Sequence, residues 1–249
     1  MNAIVEISRS EFDAVVMDLD GVITDTASLH EMAWKRMFDA FLASRPELAG
    51  EDHRPFDNED YRRYVDGMPR SDGAFGFLTS RGIDLPTEQV RALARQKDSD
   101  FQDLLAKEGV NLIPGARPLL VGLRRAGFRT AVVSASRNCG SVLTRAGLTD
   151  FFDASVDGVV ASELGLPGKP HPAVYLEAAG RLRTLPQRSV VVEDALAGVE
   201  AGRRGGFGLV VGVDRAGHAE ELMEHGADVI VPDLVGVEVA SSVMEGPRS

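Results

Sequence analysis

A single cysteine, Cys139, stands among 249 residues. One thiol can neither close an internal disulfide nor build a cysteine-rich zinc site, and the scarcity fits a reducing compartment. Its neighbours Asn138 and Gly140 give no sign of a catalytic thiol, so Cys139 reads as structural. Positive charge is also short: 27 Lys and Arg face 38 Asp and Glu, a formal net charge of −11. Non-specific binding to nucleic acid or to an anionic membrane needs a basic surface, so neither partner is expected. An anionic substrate would have to be captured by a local basic site against that overall field. No apolar run approaches the length of a membrane span. The first residues, with Glu6 and Glu11, lack a signal-peptide pattern, and there is no Asn-x-Ser/Thr sequon. A cytoplasmic location is the expectation. Internal repeats and low-complexity segments are missing too. What is present, 44% hydrophobic and 26% charged residues, is the composition of a globular chain able to bury a substantial core, as one large domain or two small ones.

After residue 110 the pattern alternates between β-like runs and helical stretches. Gly115 to Ala126 reads as a helix, with Leu119, Leu120 and Leu123 on one face. Strands are predicted at Thr130–Val133, around Phe151–Val156, and at Ser189–Val192, Leu209–Val213 and Val229–Val231. Helices fall between them: one through Leu143 ending near Gly147, then Ala173–Leu182, Ala195–Arg204 and Ala219–His225. This βαβα order predicts an α/β fold with a parallel sheet and helices on both faces. The segment from Thr26 to Lys107 differs. Leu29, Trp34, Met37, Phe38 and Phe41 fall at helical spacing, as do Val90, Leu93, Ala94, Phe101, Leu104 and Leu105, so a small helical domain inserted after the first strand is expected. From Val237 to Ser249 periodicity is lost, and a loose tail is expected.

The most informative stretch is Asp18-Leu19-Asp20-Gly21-Val22-Ile23-Thr24-Asp25, which closes the apolar run Phe12–Met17. In an extended backbone Asp18 and Asp20 share a face. Two close carboxylates repel unless a cation lies between them or one holds a proton. Gly21 allows a sharp turn and close approach to a ligand. The arrangement suits metal-assisted phosphoryl transfer, although Asp-x-Asp-Gly also occurs in plain turns and calcium loops; the full calcium-loop spacing is absent. Two further strands end in polar residues: Ala131-Val132-Val133 in Ser134-Ala135-Ser136, and Val190-Val191-Val192 in Glu193-Asp194. Strand carboxyl ends are where α/β proteins place ligands. Between them, in sequence, lies Gly168-Lys169-Pro170. Singly, each has a plain explanation: Ser134 as a helix cap, Glu193-Asp194 as partners of a helix N-terminus, Lys169 as a solvated charge.

Together and in this order, Asp18-Leu19-Asp20-Gly21, Ser134, Lys169 and Glu193-Asp194 resemble the four motifs of the haloacid dehalogenase superfamily, over nearly the whole chain. The resemblance implies a Rossmann-like core at residues 1–25 and 108–249 with a helical cap at 26–107. It implies Mg²⁺ held by Asp18, by the backbone carbonyl of Asp20 and by Asp194, with Glu193 close by. Asp18 would be the nucleophile that becomes an aspartyl phosphate. Asp20 would be the acid and base, with a pKa pushed toward neutrality by Asp18 and a closed cap. Lys169 and Ser134 would neutralise the transferring phosphoryl group.

The run from Asp18 to Ala27 with His30 and Trp34, and the run Ser134-Ala135-Ser136-Arg137-Asn138, resemble the β-phosphoglucomutase branch of that superfamily. The position of Trp34 also removes a His-Glu-x-x-His zinc pair starting at His30. The branch implies that Ala135, Ser136, Arg137 and Asn138 hold a non-transferring phosphate. Gly67 and Arg70 would contact the sugar phosphate from the cap, Lys97 would lie on a cap helix, and Thr26 and His30 would orient Asp20 and the hinge. The expected substrate is a small phosphorylated sugar, with β-glucose 1-phosphate converted to glucose 6-phosphate, a sugar 1,6-bisphosphate as primer, and a monomer as the working form. One departure bears on this. Relatives carry a lysine beside the cap glycine, where this chain has Asp66 and Met68, which favours a phosphatase of related sugar phosphates as the second expectation. A silent phosphosugar-binding protein is the third, against which Asp18, Asp20 and Asp194 are all retained.

Overall fold

The computed structural model describes residues 4–240 except Glu47 and Ala216. Among the described residues, eight strands form two sheets: β1 Val5–Ile7, β2 Ala14–Asp18, β3 Arg129–Val133, β4 Ala154–Val156, β5 Ser189–Glu193, β6 Leu209–Val213, β7 Val229–Val231 and β8 Val237–Val239. Six of them lie parallel in the order β4-β3-β2-β5-β6-β7. Every residue of β2 and β5 is buried, as an apolar run flanked by strands on both sides requires. Alternation along β2 divides the interior. Val15 and Met17 face one apolar layer with Leu119, Leu120, Leu123 and Val142; Ala14 and Val16 face another with Val174, Tyr175, Ala178 and Val199.

The helices that form these layers are α5 Ala116–Arg125 and α6 Cys139–Ala146 on the first side, and α8 Ala173–Arg181 and α9 Leu196–Arg204 on the second. They complete a chain series of α1 Ala27–Ser44, α2 Asn58–Asp60, α3 Arg70–Ser80, α4 Thr87–Glu108, then α7 Gly158–Leu164 between β4 and α8, and finally α10 Ala219–Glu224. The chain leaves β2 to build β3 on one side and β5 on the other, so the carboxyl ends of all three converge where the winding reverses. Register puts Asp18 opposite Val133 and Met17 opposite Val192. Ser134 and Glu193 are therefore delivered beside Asp18.

Helices α1, α3 and α4, with Phe56, Tyr61 and Val65 between them, have an apolar cluster of their own, in which the Phe38 ring lies 5.2 Å from Phe56 and 4.1 Å from Phe77. Leu29 and Ala33 of α1, with Phe101, Leu104 and Leu105 of α4, belong instead to the sheet's cluster. The roots of the insert are thus anchored in the core while its far part packs on itself. After α2 the chain passes through a wide turn at Tyr61–Val65, closed by Asp66 N–H donating to the Tyr61 carbonyl. Wide turns of this kind often mark functional sites.

Two expectations are corrected. Val237–Val239 is not loose tail: it pairs in parallel with β1, Val5 opposite Val237 and Ile7 opposite Val239. Three residues are too few for a period, and the pairing partner lies at the other end of the chain. The rest of the expected tail, residues 241–249, lies outside the described residues. The second correction is α7, which sequence periodicity did not indicate. Its start is set by Asp157, whose side chain accepts from Val159 N and Val160 N at 3.0 Å each.

Candidate active site

Asp18 closes β2 and is 4% exposed. Its Oδ2 accepts from Asp20 N at 2.8 Å and its Oδ1 from Lys169 Nζ at 2.5 Å. Lys169, equally buried, also contacts Glu193 Oε1 and lies 5.2 Å above the Tyr175 ring. Glu193 is fully engaged: Oε1 also accepts from Tyr175 Oη at 3.0 Å, and Oε2 accepts from Asp194 N at 2.7 Å and Ala195 N at 2.8 Å. Its carboxylate therefore sets the position of Lys169 and the shape of the loop that carries Asp194. The loop from β2 approaches closely. Gly21 has φ +103°, and a Cβ there would come within 1.8 Å of Asp194 Oδ2, so any other residue would collide with that carboxylate.

Acidic ligand atoms of Asp18, Glu193 and Asp194 lie within 4.8 Å of one another. Burial pushes both Asp18 and Asp194 well above the usual carboxylate range. For Asp18 the charges of Glu193 and Asp20 add to burial while Lys169 opposes; for Asp194 those of Asp66, Glu193 and Asp18 add. One lysine cannot balance this set. Hard oxygen donors around an excess of negative charge fit a magnesium ion, which Asp18 and Asp194 would hold through carboxylate oxygens, the two Asp18 oxygens already accepting from Lys169 Nζ and Asp20 N.

Asp20 behaves differently from the expectation of a raised pKa. Thr26 Oγ1 donates to its Oδ1 at 2.5 Å and Ser134 Oγ to its Oδ2 at 2.8 Å. His30 Nε2 stands 3.4 Å from Oδ1 without hydrogen-bond alignment. Burial alone would raise this carboxyl, but His30, Thr26 and Ser134 together outweigh it and hold Asp20 below the usual range. The difference is one of partners: the aspartate is turned to hydroxyls rather than to Asp18. Thr26 occupies the cap position of α1 but its hydroxyl makes no capping bond, being spent on Asp20. Lys97 Nζ contacts His30 Nδ1; a donating ammonium there leaves the His30 proton on Nε2, facing Asp20.

These groups open onto one cleft. Asp18, Asp20, His30, Gly67, Arg70, Lys97, Ala135, Ser136, Asn138, Glu193 and Asp194 line it. Ser134 reaches it through Asp20, with Ser136 N donating to its Oγ at 3.0 Å. Lys169 is held beneath, under Gly67, where a Cβ would lie 3.7 Å from its Cδ. Arg137 is not brought into the cleft: it lines a neighbouring cavity with Gly158 and Ser162. In the turn after β3 its side chain lies against Gly158, where a Cβ would come within 3.2 Å of Arg137 Cγ. Sequence reading missed Tyr175, Asp98 and Gln102. Tyr175 is an ordinary helical residue by spacing, and only the fold puts its hydroxyl on Glu193. Asp98 and Gln102 are two polar positions on a long charged helix, indistinguishable from its solvated face.

A family model described as haloacid dehalogenase-like hydrolase matches residues 12–206. The chain is similar to a β-phosphoglucomutase of Mycobacterium bovis, 46% identical over 89% of each chain. A β-phosphoglucomutase of Bacillus subtilis is 33% identical over 88% of each. Among solved structures, a β-phosphoglucomutase of Clostridium difficile superposes with a TM-score of 0.73 at 27% identity, over 90% of this chain and 92% of that one. Four motifs gathered at the carboxyl ends of β2, β3 and β5, with a match over most of its length, make this chain a member of the haloacid dehalogenase-like hydrolase family.

Proposed function

We propose that the protein is a magnesium-dependent phosphomutase that converts β-glucose 1-phosphate to glucose 6-phosphate, primed by a sugar 1,6-bisphosphate. The observation that carries this reading is one cleft served by two separate phosphate grips. Lys169 contacts Asp18 and Ser134 contacts Asp20 behind one part of the cleft, while Arg70, Ser136 and Asn138 line another part of it. A phosphatase needs the first grip only; a mutase working through a bisphosphate must hold either end.

Asp18 is the nucleophile. Its carboxylate oxygen forms a bond to phosphorus as the bond from phosphorus to the sugar oxygen breaks. Lys169 orients the other Asp18 oxygen, and Glu193 with Tyr175 holds Lys169 in place. A magnesium ion, when bound, supplies positive charge against the phosphoryl oxygens. Asp20 gives a proton to the departing sugar oxygen and takes one from the hydroxyl that attacks next. Thr26 and Ser134 hold Asp20 as an ionised acceptor, so it must leave both to act, and residues 26–107 serve as the cap whose closure exchanges those partners. In the second half-reaction the other sugar hydroxyl attacks the phosphoryl group on Asp18, regenerating the carboxylate.

³¹P NMR with β-glucose 1-phosphate, magnesium and the 1,6-bisphosphate tests the reading: glucose 6-phosphate is expected, and Asp18→Asn abolishes it. Free phosphate without glucose 6-phosphate rejects the mutase in favour of a sugar-phosphate phosphatase. That second reading is favoured by one observation, the carboxylate of Asp66 at the cleft wall where a lysine is expected.

A further inference from the structure

The side chains suited to grip a distal phosphate already hold an anion of the chain itself. Asp98, on α4 beside Lys97, accepts from Asn138 Nδ2 at 2.9 Å through Oδ1 and pairs with Arg70 Nη1 at 3.0 Å through Oδ2. Arg70 comes from α3 and Asn138 from the loop after β3, so one carboxylate ties the helical insert to the sheet. Gln102, one turn along α4, donates to Asn138 Oδ1 at 2.6 Å. That leaves the Asn138 amide only its nitrogen to offer, aimed at Asp98. A carboxylate held by a guanidinium and an amide donor presents the same pattern of oxygens as an edge of a phosphate. The Asp98 side chain is 35% exposed and that of Arg70 18%. The carboxylate can therefore swing out to water while the guanidinium stays.

We propose that Asp98 is a specificity-determining residue: it occupies the Arg70–Asn138 grip until a distal phosphate displaces it. The inference rests on the phosphosugar reading above. Exchange of a singly charged carboxylate for a phosphate dianion returns more attraction than it removes. A hydroxyl or a monoanion returns less, so sugars lacking a second dianionic group are selected against. The effect falls on binding of the distal end and not on bond making at Asp18. The opposing possibility is that Asp98 is a buttress that aims Arg70, and it requires the opposite sign.

Steady-state kinetics with magnesium on two substrates separates these. Glucose 1,6-bisphosphate carries a second phosphate and p-nitrophenyl phosphate does not. In Asp98→Asn the KM for the bisphosphate is expected to fall about tenfold, equivalent to ~1.4 kcal/mol. The ratio of kcat/KM for the bisphosphate over that for p-nitrophenyl phosphate should rise by the same factor, with bisphosphate kcat little moved. An unchanged ratio overturns the proposal, because it makes Asp98 a general source of negative field. A raised bisphosphate KM overturns it in favour of a buttress. Asp98→Ala and Asp98→Ser carry the same expectation, so misfolding of one variant leaves the others to decide. Wild-type protein that turns over neither substrate removes the phosphosugar reading itself; turnover with an unshifted ratio removes only the role of Asp98.

Discussion

Lys97 is a buried cation with little to balance it. It is 4% exposed, touches His30 Nδ1, and lies 5.1 Å from the centroids of both Trp34 and Phe101. Burial, then the charge of Arg70, pushes its pKa down to about 7. In the unfolded chain it titrates near 10.4. Below about 7 both states carry the proton, and the folded protein bears the full cost of burying the charge. As pH rises from 7 toward 10 only the unfolded state still binds it, so the cost fades and stability rises. Lys97→Met removes the charge at every pH. It is expected to be more stable than wild type at pH 6.5 by about 1–3 kcal/mol, after allowing for the lost contact to His30. The difference should shrink toward zero by pH 10. Thermal melting of both proteins across that range checks this, and a difference independent of pH would show that Lys97 is not buried as a cation. The same residue illustrates what could be read in advance. Its place on a cap helix was legible by resemblance, but its partner His30 is 67 positions away in sequence, and no local pattern announces that contact.

Among secondary-structure elements, legibility follows the range of the forces involved. β2, β3 and β5 were plain because a strand buried on both faces must be apolar throughout, and the residues that end it are polar because they meet the cleft. The amphipathic helices α5, α8 and α9 were plain for the same local reason. The pairing of β1 with β8 was not, since it joins Val5–Ile7 to Val237–Val239 and neither segment alone has length enough to show a period. The Asp20 pocket was partly legible: Thr26 and His30 were expected beside it, but Ser134 was expected on the phosphoryl group instead, and the pKa expected to rise is lowered. That depended on which way the carboxylate turns, a rotamer decided by the fold. A substitution measures what the hidden pairing contributes. Val237 is 5% exposed and packs into the sheet's apolar cluster. Val237→Asp buries an unpaired carboxylate there and is expected to cost about 2–4 kcal/mol, read as a lower denaturation midpoint with little change in slope. An effect under about 0.5 kcal/mol, as for an exposed position, would show that β8 does not stay paired in solution.

For the molecule as a whole, the carboxyl-terminal edge of the sheet stores electrostatic repulsion that a cation would release. Asp18, Glu193 and Asp194 converge with Lys169 as their buried counter-charge, and Asp66 adds a further acid at the same cleft. Without metal, Asp18 and Asp194 have raised pKa values. Both then bind protons more readily folded than unfolded, so stability in a chelator should fall as pH climbs above the ordinary carboxylate range of about 4. A magnesium ion that binds only the folded form stabilises it by about 2.7 kcal/mol at 100 times its dissociation constant, which for a chain of this size raises the melting temperature by roughly 5–10 °C. Calorimetry at pH 7.5 with chelator and with excess magnesium should show that rise in wild type. Asp194→Asn should melt higher than wild type in chelator, because one source of repulsion is gone, and should gain little from magnesium, because a ligand is gone with it. The two shifts have opposite sign in one variant, which a mere packing defect at residue 194 cannot produce. A variant less stable than wild type in chelator, or a wild type indifferent to magnesium, would mean that these carboxylates do not form the cation site.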